Sequence, residues 1–217
     1  MNSNLKRLNV KFLLFAASLR KDSLNWKLAR LASEVIVQHG GSVDMAEMAD
    51  FECPSYNQDE QENHGFPVGA EEFKRRLELS DAFVIASPEY NFSMPGVLKN
   101  SIDWVSRYKP QPFNEKHALL LSASPSMAGG NRGLWSLRIP LEHLGSRVFP
   151  DMFSLAQASR GFDQSGNIAN MELRERFVKT ISAFMDLVEA DKHYERTKKG
   201  WFEFLGEQTG KDTERQE

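Results

Sequence analysis

Three short stretches hold the residues whose types and spacing could do chemistry. The first, SLRKDSLN, sets Ser18, Arg20, Ser23 and Asn25 directly after the apolar run VKFLLFAA. Where a strand hands over to a helix, backbone N–H groups and the positive end of the helix dipole converge, so the place suits an anion. Ser18, Ser23 and Asn25 add neutral donors, and the Arg20 guanidinium can grip phosphate oxygens as a fork. The plainer reading is a helix cap by Asp22 or Ser23 with Arg20 in solvent. Neither Gly-x-x-x-x-Gly-Lys nor Gly-x-Gly-x-x-Gly is present, which favours a ligand smaller than a dinucleotide.

The second stretch, SPEYNFSMPG, leaves the apolar run DAFVIA. Pro88 restrains the backbone, Tyr90 offers a flat face, and Asn91 offers donors and acceptors. Peptide groups in such a loop could read the edge of a planar heterocycle while Tyr90 or Trp104 excludes water. Glu89 is either a contact to a ligand or partner or an ordinary loop charge. Pro95-Gly96 suits the opening of a helix that carries Leu98, Ile102 and Trp104. In the third stretch, SASPSMAGGNRG, Gly129-Gly130 permit close backbone approach to a ligand, or merely turn the chain.

The elements that must position these loops follow from the periodicity. Short apolar runs alternate with longer helical patterns, the rhythm of strand-helix units around a parallel sheet. Strands are expected near Leu8–Phe15, over SVDMAEM (a weaker edge strand), DAFVIA and HALLLSAS, and near SRVFPDMF. Helices are expected near 22–38, over AEEFKRRLELS, near 96–108, over LWSLRIPLEHLG, and near 170–192. Five strands with intervening helices make a doubly wound α/β sheet, in which ligands bind at the carboxyl ends of strands, where all three loops fall. The segment ADFECPSYNQDEQENHGFPVG reads as a long loop without periodic structure. Residues 1–192 are expected to form one domain, and 193–217 a charged, partly disordered extension. The WFEF in that extension would pack on its own domain or on a partner subunit.

Composition limits the choices. A chain of 217 residues, 41% apolar with 15 Phe, can supply a large core, and its net charge of −3 offers no basic face to nucleic acid or anionic lipid. The single cysteine, Cys53, excludes an intrachain disulfide and fits a cytoplasmic setting. The basic and apolar start looks like a leader peptide, but its apolar stretch is short and contains Lys11, so it reads as a strand. No run reaches the roughly 18 apolar residues that a membrane helix needs. The five histidines show no metal-ligand spacing, and no nucleophile-elbow motif supports a hydrolase.

Taken together, PEYNFSMPGVLKNSIDW and ASLRKDSLN resemble the two flavin motifs of the NADPH-dependent FMN reductases, whose relatives include chromate, quinone and azo reductases. The resemblance covers roughly residues 10–145. It implies a flavodoxin-like three-layer sandwich with a five-stranded parallel sheet of order 2-1-3-4-5. It further implies FMN phosphate contacts from Ser18, Arg20, Ser23 and Asn25 and isoalloxazine contacts from Pro88, Glu89, Tyr90 and Asn91. Ser124, Gly129 and Gly130 would meet the pyrimidine end or the ribityl chain. The activity implied is two-step transfer from NADPH or NADH through FMN to a small acceptor such as a quinone or flavin, in a homodimer or homotetramer; the long loop near 50–69 and the WFEF tail would be its contact surface. The alternative is an FMN-binding sensor or electron carrier with little turnover. Ala17 stands where the family has Gly; if that position needs positive φ or close approach to phosphate, its methyl group weakens FMN binding.

Overall fold

The strands at the centre of the sheet are buried on both faces, as parallel strands are when helices cover each side. The computed structural model describes residues 9–205, with side chains as far as 194. The strands β1 (Lys11–Ala16), β2 (Ser42–Glu47), β3 (Ala82–Ala86), β4 (His117–Ala123), β5 (Arg147–Val148) and β6 (Phe153–Leu155) form one sheet. Every pairing is parallel and the order is β2-β1-β3-β4-β5, with β6 also on β4. This is the expected doubly wound, flavodoxin-like order.

Among the described residues six α-helices accompany the sheet: α1 (Leu24–Gln38), α2 (Gln58–His64), α3 (Val68–Glu78), α4 (Gly96–Val105), α5 (Asn131–His143) and α6 (Met171–Leu205). Because successive strand residues point to opposite faces, β1 splits its side chains between two cores. Phe12, Leu14 and Ala16 join Leu28, Ile36, Ile181 and Phe184 of α1 and α6. Leu13, Phe15 and Ala17 join Phe73, Leu98, Ile102 and Leu137 of α3, α4 and α5.

Three expectations need correction. The fifth strand is broken: β4 pairs Ala118 with Val148 and Leu121 with Phe153, so the edge strand has two extra residues there. Pro150, which has no N–H to give to the ladder, lies in that break. The loop expected to be structureless contains a 3-10 turn (Met48–Phe51) and α2. α2 buries none of its residues, so hydrophobic periodicity could not reveal it; its signals are polar, with Asn57 capping Asp59 N–H and Asp59 and Glu60 in the first turn. The segment is also tied down. The Asn100 side chain bonds Tyr56 N–H and the Cys53 and Pro54 carbonyls, and Trp104 Nε1 donates to the Pro54 carbonyl at 2.7 Å. Lastly, α6 continues past its expected end near 192 and runs to Leu205. Residues 206–217 and the WFEF side chains lie outside what is described. No described helix is long and apolar enough to cross a membrane, and no group of three His, Cys, Asp or Glu among the described residues could hold a metal ion.

Candidate functional site

The sheet brings the three loops to one edge, and specific bonds brace them against each other. Ala17 N–H continues the ladder by donating to the Ala86 carbonyl at 2.9 Å, and Ser87 N–H donates to the Leu121 carbonyl at 2.8 Å. Ser122 Oγ, fully buried, donates to the Ser87 carbonyl at 2.7 Å. The third brace is Asn25. Its Nδ2 donates to the Ala123 carbonyl at 3.0 Å and its Oδ1 accepts from Ala123 N–H at 2.9 Å, so the first turn of α1 is fastened to the last residue of β4.

The β1–α1 loop is built around Ser23, the N-cap of α1, whose Oγ accepts from Trp26 N–H at 3.0 Å. Its hydroxyl hydrogen remains free to donate outward. The N–H groups of Asp22, Ser23, Leu24 and Asn25 have no acceptor among the described residues. Such orphan amides at a helix start, with the dipole behind them, suit an anion. Arg20 is exposed and pairs with no carboxylate among the described residues, while Ser18 is partly exposed at the mouth of the loop. Four free amides, two hydroxyls and an unpaired guanidinium are a donor set that fits a phosphate dianion. The capping reading of Ser23 and the anion reading are therefore compatible, because one uses its lone pair and the other its hydrogen.

Ala17 is fully buried, and alternation puts its methyl group in the core under α3 and α4. Its φ is not in the left-handed region, which among described non-glycine residues holds only Asn91, Phe92, Glu115 and Gln157. The positive-φ condition for a harmful methyl is not met, and the side chain packs with the core. Ala17→Gly is expected to leave FMN affinity within about threefold and to lower stability by about 1–2 kcal/mol, from a lost buried methyl and added backbone freedom. Denaturant unfolding and flavin titration check this, and a tenfold gain in FMN affinity would show that the methyl crowds the phosphate.

In the β3–α4 loop, Tyr90 N–H donates to the Ser93 carbonyl and Ser93 N–H to the Tyr90 carbonyl, closing a two-residue turn over Asn91 and Phe92. Both central residues have positive φ, 51° and 65°, as a type I′ turn requires. Phe92 is a bulky residue in that conformation, which costs energy unless its surroundings hold it. The holding group is Arg132 at the start of α5, whose guanidinium carbon lies 3.6 Å from the Phe92 ring centre. The same guanidinium meets Glu89 Oε1 through Nε at 3.0 Å and Nη2 at 2.8 Å, and Glu89 Oε2 accepts from Gly133 N–H at 3.0 Å. The Glu89 side chain is only 7% exposed. Of its two sequence readings, the ordinary loop charge does not describe it: the carboxylate joins the β3 loop to the start of α5. Pro88 is partly exposed, and Tyr90 and Asn91 face solvent.

Gly129 and Gly130 both have positive φ, 63° and 84°. A Cβ on Gly129 would lie 2.9 Å from Ala156 N, and one on Gly130 would run into Ser122 Oγ. These glycines are demanded by packing within the chain. Ser124 Oγ bonds Ser126, and Ser124 N–H and carbonyl pair with Leu155 and Ala158.

Sequence reading missed Arg132, Ser122 and Ser136, the last bonding Met94 N–H at 2.8 Å. Arg132 left one signal: a cation in the first turn of a helix opposes the dipole and calls for a nearby acid. Cys53 is no reactive centre, because burial pushes its thiol up to about 11 and thiolate is scarce at neutral pH.

Comparison with known proteins agrees with this geometry. The sequence profile of the NADPH-dependent FMN reductases matches residues 10–160. The chain is 35% identical over 178 residues to an NAD(P)H-dependent FMN reductase of Pseudomonas aeruginosa, covering 81% of this chain and 93% of that one. It is 31% identical over 177 residues to a quinone reductase of Escherichia coli, again covering 81% and 93%. The structure of FerB, a flavoenzyme NAD(P)H:(acceptor) oxidoreductase of Paracoccus denitrificans, superimposes with a TM-score of 0.70 at 26% identity, covering 83% and 98%. With the parallel order of its sheet, its three braced loops and these matches, the chain belongs to the NADPH-dependent FMN reductase family, a group of flavodoxin-like oxidoreductases.

Proposed function

We propose that the chain takes reducing equivalents from NAD(P)H and passes them to quinones, free flavin or similar small acceptors, with donor and acceptor using one FMN face in turn. The observation that carries this reading is the start of α1, where free amides, Ser18, Ser23 and Arg20 form a phosphate-sized donor set on the edge that also carries the β3 and β4 loops. Relatives named for FMN and quinone reduction point the same way. The redox chemistry is the flavin's, a two-electron exchange with nicotinamide and then with the acceptor.

The chain's own residues bind and orient. Ser18, Arg20 and Ser23 hold the phosphate, and Asn25 sets the loop against β4. The peptide groups of Pro88 to Asn91 read the ring edge, Tyr90 flanks it, and Ser124 with the Gly129-Gly130 turn closes the other side. Glu89 acts on the ring through the loop it fixes, so no side-chain acid or base need move a proton. The long loop proposed for subunit contact packs partly on α4 of its own chain; the exposed Tyr90, Phe92, Trp135 and Ile139 are among the apolar side chains open to a second copy. A monomer mass by light scattering with full activity would count against that contact. A reducing cytoplasm suits the single free thiol.

The test is an absorption spectrum before and after FMN addition and removal of excess, followed by anaerobic NADPH and then a quinone. Stoichiometric retained flavin that bleaches with NADPH and recovers with quinone is expected, with parallel double-reciprocal plots for donor and acceptor. A fully loaded protein that does not oxidise NADPH would leave only a flavin-binding role.

A further inference from the structure

The start of α5 meets the β3–α4 loop through two residues outside the donor sets of the three loops. Gly133 sits inside the helix without positive φ, so its missing side chain answers a need for space and not for an unusual backbone. A Cβ there would lie 3.1 Å from Glu89 Cα and Cβ and 3.2 Å from the Ser93 carbonyl oxygen. The helix by itself would favour alanine. The loop, which rests its backbone on α5 at either end of its turn, is what favours glycine.

Ser136, three residues on, lies on the same face of the helix. Its hydroxyl donates to the Gly133 carbonyl at 2.8 Å, and its oxygen accepts from Met94 N–H at 2.8 Å and from the Ser93 hydroxyl at 3.3 Å. A serine hydroxyl has one donor and two acceptor sites, so every one of them is used. The bond back to its own helix fixes the hydroxyl rotor and leaves both lone pairs for the loop. Met94 N–H has no other acceptor among the described residues, and Met94 is followed by Pro95, the N-cap of α4. The loop is thus held on α5 twice: at its entry by the Glu89 carboxylate on Gly133 N–H, and at its exit by a neutral contact to Ser136.

We propose that Gly133 and Ser136 are positioning residues for the flavin ring. Gly133 lets the backbone of the β3–α4 loop lie directly on α5, and Ser136 pins the end of that loop, so the pair sets where the peptide groups of Pro88 to Asn91 stand against the ring. Neither residue touches the ring; both act through the loop. The ring position rests on the flavin reading above, whereas the loop contact is a property of the chain without any ligand.

The test compares the parent chain with Ser136→Ala, Ser136→Thr and Gly133→Ala. In flavin-free protein, NMR amide exchange of Met94 is expected to be at least about tenfold faster in Ser136→Ala, which removes the only acceptor of that N–H, and near the parent rate in Ser136→Thr, which keeps the oxygen. In FMN titrations Ser136→Ala should bind about fivefold more weakly, the usual size of one neutral hydrogen bond, and Ser136→Thr should recover to within about twofold of the parent. Gly133→Ala should weaken FMN about tenfold, because its methyl group must push the loop off α5. Visible circular dichroism of the bound flavin, read at saturating FMN in folded protein, should change in Ser136→Ala and Gly133→Ala and not in Ser136→Thr; a loss of stability alone would leave that spectrum unmoved. Parent-like exchange of Met94 in Ser136→Ala overturns the pinning by Ser136. Parent-like FMN affinity and spectrum in both alanine variants overturns the positioning role while the flavin reading stands. A parent chain that retains no FMN overturns the flavin reading, and the positioning role falls with it.

Discussion

Replacing Asn25 with leucine is expected to cost about 2–5 kcal/mol of folding stability and at least tenfold in FMN affinity. The side chain is 3% exposed and both ends of its amide bond one residue, Ala123, at 2.9 and 3.0 Å. It completes the end of β4 as a neighbouring strand would, giving a donor and an acceptor to one peptide unit. Leucine fills similar space but leaves a buried N–H and a buried C=O without partners, at about 1–3 kcal/mol each. Against a typical total of about 5–15 kcal/mol this is a large fraction. The loss in affinity follows because α1 then loses the two hydrogen bonds that fasten its first turn to the end of β4, beside the Ser124 loop. Asn25→Asp separates the two effects. It keeps one acceptor, sets a carboxylate oxygen against the Ala123 carbonyl, and adds negative charge beside the phosphate donors, so its FMN loss should exceed its stability loss. Urea unfolding and fluorescence titration of FMN measure both; unchanged stability in Asn25→Leu would sink the bracing role. Lower stability with unchanged FMN affinity would make Asn25 structural only.

Much of this architecture was legible because it is local. The strands could be found because the apolar runs of β1, β3 and β4 are buried on both faces, and α1 because Ser23 and its apolar stripe mark its start and face. The placement of all three loops on one edge follows from the strand-helix rhythm alone. What stayed hidden depends on distant partners. Asn25 and Ala123 are 98 residues apart, Glu89 and Gly133 are 44 apart, and neither pairing leaves a trace in periodicity. Ala17 is the instructive case. Read as a departure from glycine it looked harmful, yet the alternation of β1 turns its methyl away from the loop and into the core with Leu13 and Phe15. The glycines of the third loop carry a demand that the sequence did not show: Ala156 and Ser122 leave no room for a Cβ at either position.

Glu89→Ala is expected to lower stability by about 1–3 kcal/mol and FMN affinity by about tenfold or more, with Glu89→Gln between it and the parent. Breaking a fully buried ion pair costs more, about 3–5 kcal/mol, but Arg132 is 43% exposed and water recovers part of the loss. Three consequences add. Gly133 N–H loses its acceptor, Arg132 is left as an uncompensated cation at the start of α5, and the guanidinium is released from Phe92. The last consequence reaches the proposed flavin site, because Asn91 and Phe92 keep left-handed φ while the turn is held, and the peptide groups of that loop are the ones proposed to read the ring. Glutamine retains an acceptor for Gly133 N–H but not the ion pair, so it reports the amide contact alone. The double variant Glu89→Ala with Arg132→Ala removes the stranded cation, and it should recover part of the stability lost in Glu89→Ala without recovering FMN affinity. That split distinguishes a positioning role from a purely structural one: if stability and affinity recover together, the pair serves only to hold α5. If Glu89→Ala binds FMN as the parent does, the turn keeps its shape without Arg132, and the strain at Phe92 is balanced elsewhere.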